Sequence, residues 1–304
     1  MFFLFCYTFA VNIVLFSAEE IDKPLNPRDE RAKHIRGVLH KGTGDSFEAG
    51  IINGKSGIAT ITAVNDAGLY FTFAAQTEEP PLFSIQLIVG FPRPIQLKRL
   101  LRDVSSLGVA QVHLTGTELG EKSYRQSTLL DRGAAFAGLV DGAAQAKTTR
   151  VPELFMHDSL KECLRALGFE KENAKPIEER LKNVSGFPQA AQNLVENSSK
   201  NQELIHNSAD LCTIVEELKK SDVIPILLDN VKPVCSLSDF AAMRCFEGKT
   251  IVAAIGSERG WTQKERELFY QLGFLPCSLG RRILRTETAC TSAVILLLAG
   301  MNEL

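Results

Sequence analysis

The sequence lacks any large excess of charge of one sign, since 34 lysine and arginine residues stand against 36 aspartate and glutamate residues. A chain with this balance does not bind nucleic acid through its overall charge, so any such binding depends on local clusters of basic residues. Its 7 cysteines form no Cys-x-x-Cys pair and have no companion histidine at zinc spacing. No metal site is therefore predicted, and the cysteines are expected to be reduced and mostly buried, as in a cytoplasmic protein.

An apolar run long enough to span a membrane is also missing. The first sixteen residues are almost wholly apolar, but a membrane-spanning helix needs about 20 such residues. No basic residue precedes Lys23, which disfavours a signal peptide. We therefore expect residues 12–16 to form a first β-strand, and translation to start at Val11 rather than at Met1. A periplasmic or membrane-anchored form is the alternative.

The first part of the chain, residues 12–77, has the pattern of a small β-sheet domain. Strands of alternating polarity are separated by turns such as Asn53-Gly54, which are typical of β-hairpins. The predicted strands are 46–52, 57–64 and 68–74. One helix is expected to begin at Asn26-Pro27 and to run to about Leu39. Such a domain is of the kind used to hold RNA.

After a linker at 78–81, the pattern changes to apolar strands that alternate with helices. This alternation predicts an α/β domain over residues 82–304, with a parallel sheet covered on both faces. The expected strands are 83–90, 109–114, 224–228, 250–255 and 275–278, and the expected helices are 97–106, 122–138, 159–167 and 290–299. The polar stretch 170–221 is expected to be an inserted helical excursion.

The first segment with functional chemistry is the turn Ile255–Gly260, which follows the predicted strand 250–255. Glycines let the backbone approach a ligand closely, and amides at the start of a helix can point into a pocket. Thr262 and Glu265 have the spacing of a capping box, which predicts that a helix starts here. On its own, a glycine-containing turn after a strand is most often only structural.

The second segment is Leu279–Ala289, which leads into the predicted helix 290–299. A purely structural interpretation makes Thr286 the helix cap and Glu287 a favourable charge at the helix start. That interpretation does not explain why Gly280 and Arg285 occur in the same segment.

Together the two segments resemble the ribosomal RNA small subunit methyltransferase E family of the SPOUT class. Residues 279–289 match the family's L-G-x-R-I-L-R-T-E-T-A at every fixed place, and 255–260 match I-G-P-E-G-G except at Ser257 and Arg259. Residues 150–153 are similar to the family's R-V-P-E. Residues 34–44 are similar to the H-I-x-x-V-L and G-x-G stretch of its PUA-like RNA-binding domain.

The resemblance implies a C-terminal domain with a trefoil knot, a PUA-like β-barrel over residues 12–77, and a homodimer. It implies that the protein methylates N3 of a uridine in 16S rRNA of the small ribosomal subunit, in the cytoplasm and without a membrane partner. S-adenosylmethionine is the implied cofactor, held by loops near 228–230, 256–260 and 279–284. The expected cofactor-binding residues are Leu228, Gly256, Glu258, Gly260, Leu279, Gly280, Ile283, Leu284 and Thr288.

Uridine N3 carries a proton and is a poor nucleophile until that proton leaves, so a base is required. Glu258 and Glu287 are the candidate bases, and Arg285 is the candidate for holding a phosphate or the charge on the uracil oxygens. Glu258 could instead brace its loop, and Glu287 could instead favour the helix start. The residues expected to bind RNA phosphates are Arg31, Lys33, His34, Arg36 and Lys41.

Segments on the substrate side depart from the family pattern. Residues 98–109 keep only its Leu-Gly-Val ending, and residues 143–148 lack the Glu and the Arg of its A-E-Q-x-G-R. Two alternatives therefore stay open. One is a paralogue that binds RNA or the ribosome without catalysis, and the other is a SPOUT methyltransferase that acts on another RNA.

Overall fold

The computed structural model describes residues 12–125, 133–171, 174–182, 208–244 and 246–304. Residues 1–11 and much of the predicted 170–221 excursion lie outside the described residues. The chain divides into two units, of which the first comprises 12–82 with 137–151 and the second comprises the other described residues. Residues 137–151 join the first unit through backbone contacts such as that of Ile13 N with Ala144 O, at 3.2 Å. The domain boundaries predicted from the sequence, 12–77 and 82–304, stay a prediction.

A four-stranded sheet forms the centre of the first unit. Its strands, in spatial order, are β1 (Val14–Phe16), β2 (Ser46–Ile51), β3 (Ser56–Asn65) and β4 (Gly68–Thr77). β1 runs parallel to β2, and the other neighbours are antiparallel. Alternate residues point inward, so that Phe16, Phe47 and Ile61 are buried in one apolar core. The predicted strands and hairpins are confirmed.

The helix of the first unit begins later than the sequence suggests. It consists of α1 (Glu30–Lys33) and a π-helical segment, His34–Val38. Asp29 is the N-cap because its carboxylate accepts the backbone N–H of Arg31 at 2.8 Å. Asn26 accepts the N–H of Arg28 instead, which forms a turn, so the predicted start at Asn26-Pro27 was wrong.

The second unit contains a seven-stranded sheet in which all neighbouring strands are parallel. The strands are β5 (Phe83–Gly90), β6 (Val109–Thr115), β7 (Glu153–His157), β8 (Val223–Leu228), β9 (Cys235–Ser236), β10 (Thr250–Ile255) and β11 (Leu275–Ser278). Their spatial order is β7-β6-β5-β10-β8-β11-β9. These pairings confirm the predicted parallel sheet. The prediction succeeded because the central strands are continuous apolar runs that are buried on both faces.

The other described helices are α2 (Pro94–Ser106), α3 (Lys122–Arg125), α4 (Ala134–Gln145), α5 (Leu160–Ala166), α6 (Ile177–Arg180), α7 (Ser208–Leu218), α8 (Leu237–Ala242), α9 (Gln263–Gln271) and α10 (Thr286–Gly300). All of them belong to the second unit except α4, most of which belongs to the first. α10 packs against α2 and α8 and buries Val294 and Leu297. Among these described segments, no helix has both the length and the apolar character that a membrane crossing needs.

The last helix starts at Thr286, four residues before the predicted Cys290. Arg285 occupies the N-cap position with an extended backbone and makes no capping hydrogen bond through its side chain. Thr286 is a buried helical residue, so the structural interpretation in which it caps the helix was wrong. The residue type favoured a cap, but burial of the first turn of α10 determined where the helix begins.

Candidate active site

The carboxyl ends of β8, β10 and β11 surround a cleft of about 240 Å³, called here the C-terminal cleft. In an open parallel sheet, ligands bind at this edge where the strand order reverses. The residues that line it are Leu228–Val231, Ile255–Trp261, Arg266, Leu279, Ile283, Leu284, Thr286 and Ala289. The three loops implied by the family resemblance therefore meet in one place.

In the turn that follows β10, the backbone of residues 256 and 257 lies close to the backbone of Gly260. The N–H of Gly260 donates to Ser257 O at 2.8 Å, and Gly260 has a positive φ of 70°. A Cβ added to Gly256 would lie 2.8 Å from the Cα of Gly260. Position 256 therefore requires glycine. The predicted capping box is confirmed, since Thr262 and Glu265 bond each other's backbone at the start of α9.

Glu258 lines the C-terminal cleft and also links two loops of the second unit. Its Oε1 accepts the backbone N–H of Arg93 at 2.9 Å and lies 4.0 Å from Nε of the same arginine. The side chain remains 30% exposed. It is therefore both accessible from the cleft and held in place by the loop that precedes α2.

An ion pair that the sequence did not reveal lies in the wall of the cleft. Arg266 on α9 donates from Nε to Asp229 Oδ2 at 2.6 Å and from Nη2 to Oδ1 at 3.3 Å. The two side chains are only 11% and 6% exposed. The pair ties α9 to the loop after β8. Tyr270, one turn later on α9, is buried, and burial raises the pKa of its hydroxyl, with the charge of Asp229 contributing.

Most of the predicted cofactor-binding residues line the cleft, but two do not. Those that do are Leu228, Gly256, Glu258, Gly260, Leu279, Ile283 and Leu284. Gly280 and Thr288 are exposed and absent from its lining. Gly280 has a φ of 111°, and a Cβ there would meet no atom within 4 Å. Glycine is thus favoured at this position by backbone conformation and not by a close contact.

Arg285 and Glu287 lie beside the C-terminal cleft and not in its lining. Arg285 is exposed and directly precedes Thr286, which does line it. Glu287 is 9% exposed, and its Oε2 has no hydrogen-bond partner among the described residues. Its place in the first turn of α10 suits a negative charge. Burial raises the pKa of the nearby Cys290 thiol, and the charge of Glu287 contributes.

The basic cluster of the first unit contains one residue whose donors are already used. The guanidinium of Arg31 contacts Asp29 Oδ2 at 2.8 Å and Glu20 Oε1 at 3.0 Å, and it lies over the ring of Phe16. The other predicted RNA-binding residues are Lys33, His34, Arg36 and Lys41. Of these, Lys33 pairs with Glu30 on the surface, and Arg36 is exposed.

Known proteins resemble the chain along almost its whole length. A model of the RNA methyltransferase domain matches residues 78–199 and 169–298. Ribosomal RNA small subunit methyltransferase E of Treponema pallidum is 36% identical over 296 residues, which cover 96% of this chain and 92% of that protein. Ribosomal RNA small subunit methyltransferase E 1 of Borreliella burgdorferi is 27% identical over 287 residues, covering 94% of this chain and 97% of that protein.

Two solved structures share the fold. One is a ribosomal RNA small subunit methyltransferase E from Neisseria gonorrhoeae bound to S-adenosylmethionine, with a TM-score of 0.61 and 16% identity over 94% of this chain and 97% of that chain. The other is a methyltransferase from Legionella pneumophila with bound cofactor, with a TM-score of 0.62 and 18% identity over 94% and 96%. On its match to the domain model and its identity to the Treponema protein, the chain belongs to the ribosomal RNA small subunit methyltransferase E family.

Proposed function

We propose that this chain, by its family an S-adenosylmethionine-dependent methyltransferase of small-subunit ribosomal RNA, transfers the methyl group to N3 of a uridine in 16S rRNA. The observation that carries the proposal is the C-terminal cleft, because it brings together the segments 255–260 and 279–289 that match the family's motifs. The reaction takes place in the cytoplasm, where the small ribosomal subunit is the partner.

The residues of the cleft fit S-adenosylmethionine, which supplies the methyl group when bound. Leu228, Leu279 and Leu284 offer an apolar surface of the kind that an adenine ring needs. Ile283 is 92% exposed at the edge of the cleft, and an apolar side chain in that position gains from being covered by a ligand. The carboxylate of Glu258 suits a positively charged sulfonium.

The chain's own groups can perform the proton transfer and the charge stabilisation that N3 methylation needs. Glu258 is the favoured base because it lines the cleft, whereas Glu287 lies beside it. Glu287 stays the second candidate, since its buried Oε2 has no partner among the described residues. Arg285 precedes the cleft-lining Thr286 and would hold a phosphate or the charge that develops on the uracil oxygens.

Family membership also supports finer features of the fold and the assembly. We infer that α10 is threaded through a trefoil knot of the SPOUT class, and that the four-stranded sheet belongs to a PUA-like β-barrel that binds RNA. We further infer a homodimer. Light scattering on the purified chain should give twice the mass of the chain, and a monomer at working concentrations would contradict the assembly.

Nucleoside analysis of ribosomal RNA from a deletion strain tests the reaction. We expect one 3-methyluridine to disappear from 16S rRNA and to return when the wild-type chain is supplied. Unchanged 3-methyluridine would favour a non-catalytic RNA-binding paralogue, which the departures at 98–109 and 143–148 suggest. Loss of a methyl group from another RNA would favour a different substrate.

Replacing Gly256 by alanine should weaken the binding of S-adenosylmethionine. The new methyl group would lie 2.8 Å from the Cα of Gly260, and forced overpacking of this kind costs about 1–3 kcal/mol. The turn must shift to relieve this contact, and because it lines the cleft the dissociation constant should rise by about tenfold or more in a calorimetric titration, about 1.4 kcal/mol of binding free energy. Gly37→Ala is the control, because a Cβ at that position meets nothing within 4 Å. A dissociation constant unchanged in Gly256→Ala would contradict the assignment of the cleft.

Removing charge from the basic cluster of the first unit should weaken RNA binding without affecting the affinity for S-adenosylmethionine. In the double variant Arg36→Gln with Lys41→Gln, the slope of log K against log salt should become shallower by about 0.7–0.9 for each lost phosphate contact. The control is Lys23→Gln with Lys55→Gln, which removes two exposed charges from the same unit. Equal slopes for the two variants would contradict a specific role of the cluster.

A further inference from the structure

A second group of residues that could bind a ligand lies away from the C-terminal cleft. It lies on β6 and β7, at the opposite lateral edge of the seven-stranded sheet. His113 on β6, His157 at the end of β7 and Cys163 on α5 bring their nitrogen and sulfur atoms within 4.8 Å of one another. All three residues are buried, at 4%, 8% and 0% exposure. Methyl transfer as proposed above uses none of them.

A hydrogen-bond chain fixes the orientation of His113. The amide of Gln111 donates from Nε2 to Glu153 Oε2 at 2.9 Å, so its Oε1 faces Nε2 of His113 at 3.3 Å. An amide oxygen only accepts, and the proton of a neutral His113 therefore belongs on Nε2. Its Nδ1 then presents a lone pair to His157 Nε2 at 3.0 Å. Metal-bound histidines are commonly held in this way, by an acceptor on the other ring nitrogen.

We propose that His113, His157 and Cys163 bind a thiophilic transition-metal ion of the Zn²⁺ type. Two imidazoles and one thiolate suit such a borderline-soft ion, and three protein ligands leave a fourth position for water. The two histidines now face each other edge-on, with ring planes 13° apart. To hold the ion at about 2.0–2.1 Å, each ring must turn until its lone pair points at the ion.

The proton balance of binding is defined by this arrangement. Because Nδ1 of His113 carries no proton, the hydrogen bond between the two rings requires that Nε2 of His157 donates in the metal-free form. When Nε2 of His157 binds the ion, this proton must move to Nδ1 of the same ring. Cys163 releases its proton to solvent. One proton is therefore released for each ion bound. A wide cleft of about 1140 Å³ lies beside the group, since residues 158–161, which connect His157 to Cys163 along the chain, line it.

Cobalt titration of the full chain tests the proposal, with Co²⁺ as the spectroscopic probe for a zinc-type site. After treatment with a chelator and in reducing buffer, one equivalent of Co²⁺ should produce thiolate charge-transfer absorption and the visible bands of a tetrahedral site. Zn²⁺ should abolish both, Mg²⁺ should not, and a weakly buffered solution should record one released proton. Affinity for S-adenosylmethionine should stay unchanged.

Three variants and one control identify the ligands and the residue that supports them. Cys163→Ala and His157→Gln should lose the charge-transfer band, whereas Cys212→Ser should keep it, because Cys212 is an exposed cysteine. Glu153→Gln weakens the outer hydrogen-bond chain and should lower cobalt affinity about 10- to 100-fold. Far-ultraviolet circular dichroism establishes that each variant is folded. A wild-type chain without the band, or a band that survives in folded Cys163→Ala, would overturn the proposal without affecting the proposed methyl transfer.

Discussion

Replacement of Asp229 by alanine is expected to lower the free energy of unfolding by about 3–5 kcal/mol, the usual cost of leaving a buried charge without its partner. Both carboxylate oxygens of Asp229 accept from Arg266, and the arginine would keep its charge in a wall where it is 11% exposed. Chemical denaturation followed by circular dichroism measures the change. Cofactor affinity should fall as well, because the pair ties α9 to the loop after β8.

A double variant separates stability from positioning. Asp229→Leu with Arg266→Met removes both charges and keeps similar volumes, and such replacements of buried pairs are often neutral or stabilising. We expect it to recover most of the stability lost in Asp229→Ala, while the affinity for S-adenosylmethionine remains reduced. A loss below about 1 kcal/mol in Asp229→Ala, the scale of an exposed pair, would contradict a buried structural role.

Arg285→Lys should lower the rate of methyl transfer by roughly one to three orders of magnitude, the scale of losing one preorganised donor. Lysine keeps the charge but cannot present the planar fork that binds a phosphate or two oxygens. Arg285 makes no capping hydrogen bond and does not line the C-terminal cleft, so the affinity for S-adenosylmethionine should stay within a few-fold. Single-turnover transfer to small-subunit particles, run beside a cofactor titration, gives both numbers.

The exposed residue Arg281 supplies a matched control for this change. It lies four residues earlier, at the one place of the motif that is not fixed, and Arg281→Lys should leave single-turnover transfer unchanged. If Arg285→Lys also transferred methyl groups at the wild-type rate, Arg285 would be only the residue that precedes α10. The charge on the uracil would then have to be stabilised by backbone groups next to Glu258 in the turn 255–260.

The sequence predicted those parts of the molecule that depend on local pattern. Continuous apolar runs predicted the parallel strands, and the turn 255–260 was found because glycines directly follow such a run. Thr262 and Glu265 predicted the start of α9 since a capping box involves only four consecutive positions. β7 was missed because Phe155 and Met156 are exposed, so this edge strand lacks the pattern of a buried one.

Features that depend on packing between distant segments could not be predicted. Asp229 and Arg266 are 37 positions apart, and their pairing follows only from the placement of α9 against the end of β8. The start of α10 was predicted four residues too late because the apolar run begins at Cys290, whereas packing also buries Thr286 and Glu287 in the first turn. Arg31 was predicted to bind RNA from its neighbours in sequence, but Glu20 approaches it from another part of the fold.

The most direct test of the proposed function is the identity of the atom that the chain methylates. Purified chain is mixed with S-adenosylmethionine labelled in its methyl group and with small ribosomal subunits from a strain lacking the protein. The 16S rRNA is then digested to nucleosides and analysed by mass spectrometry. We expect the label to appear as one 3-methyluridine in each 16S rRNA. Label in a different nucleoside, or no transfer by a chain that binds S-adenosylmethionine, would contradict it.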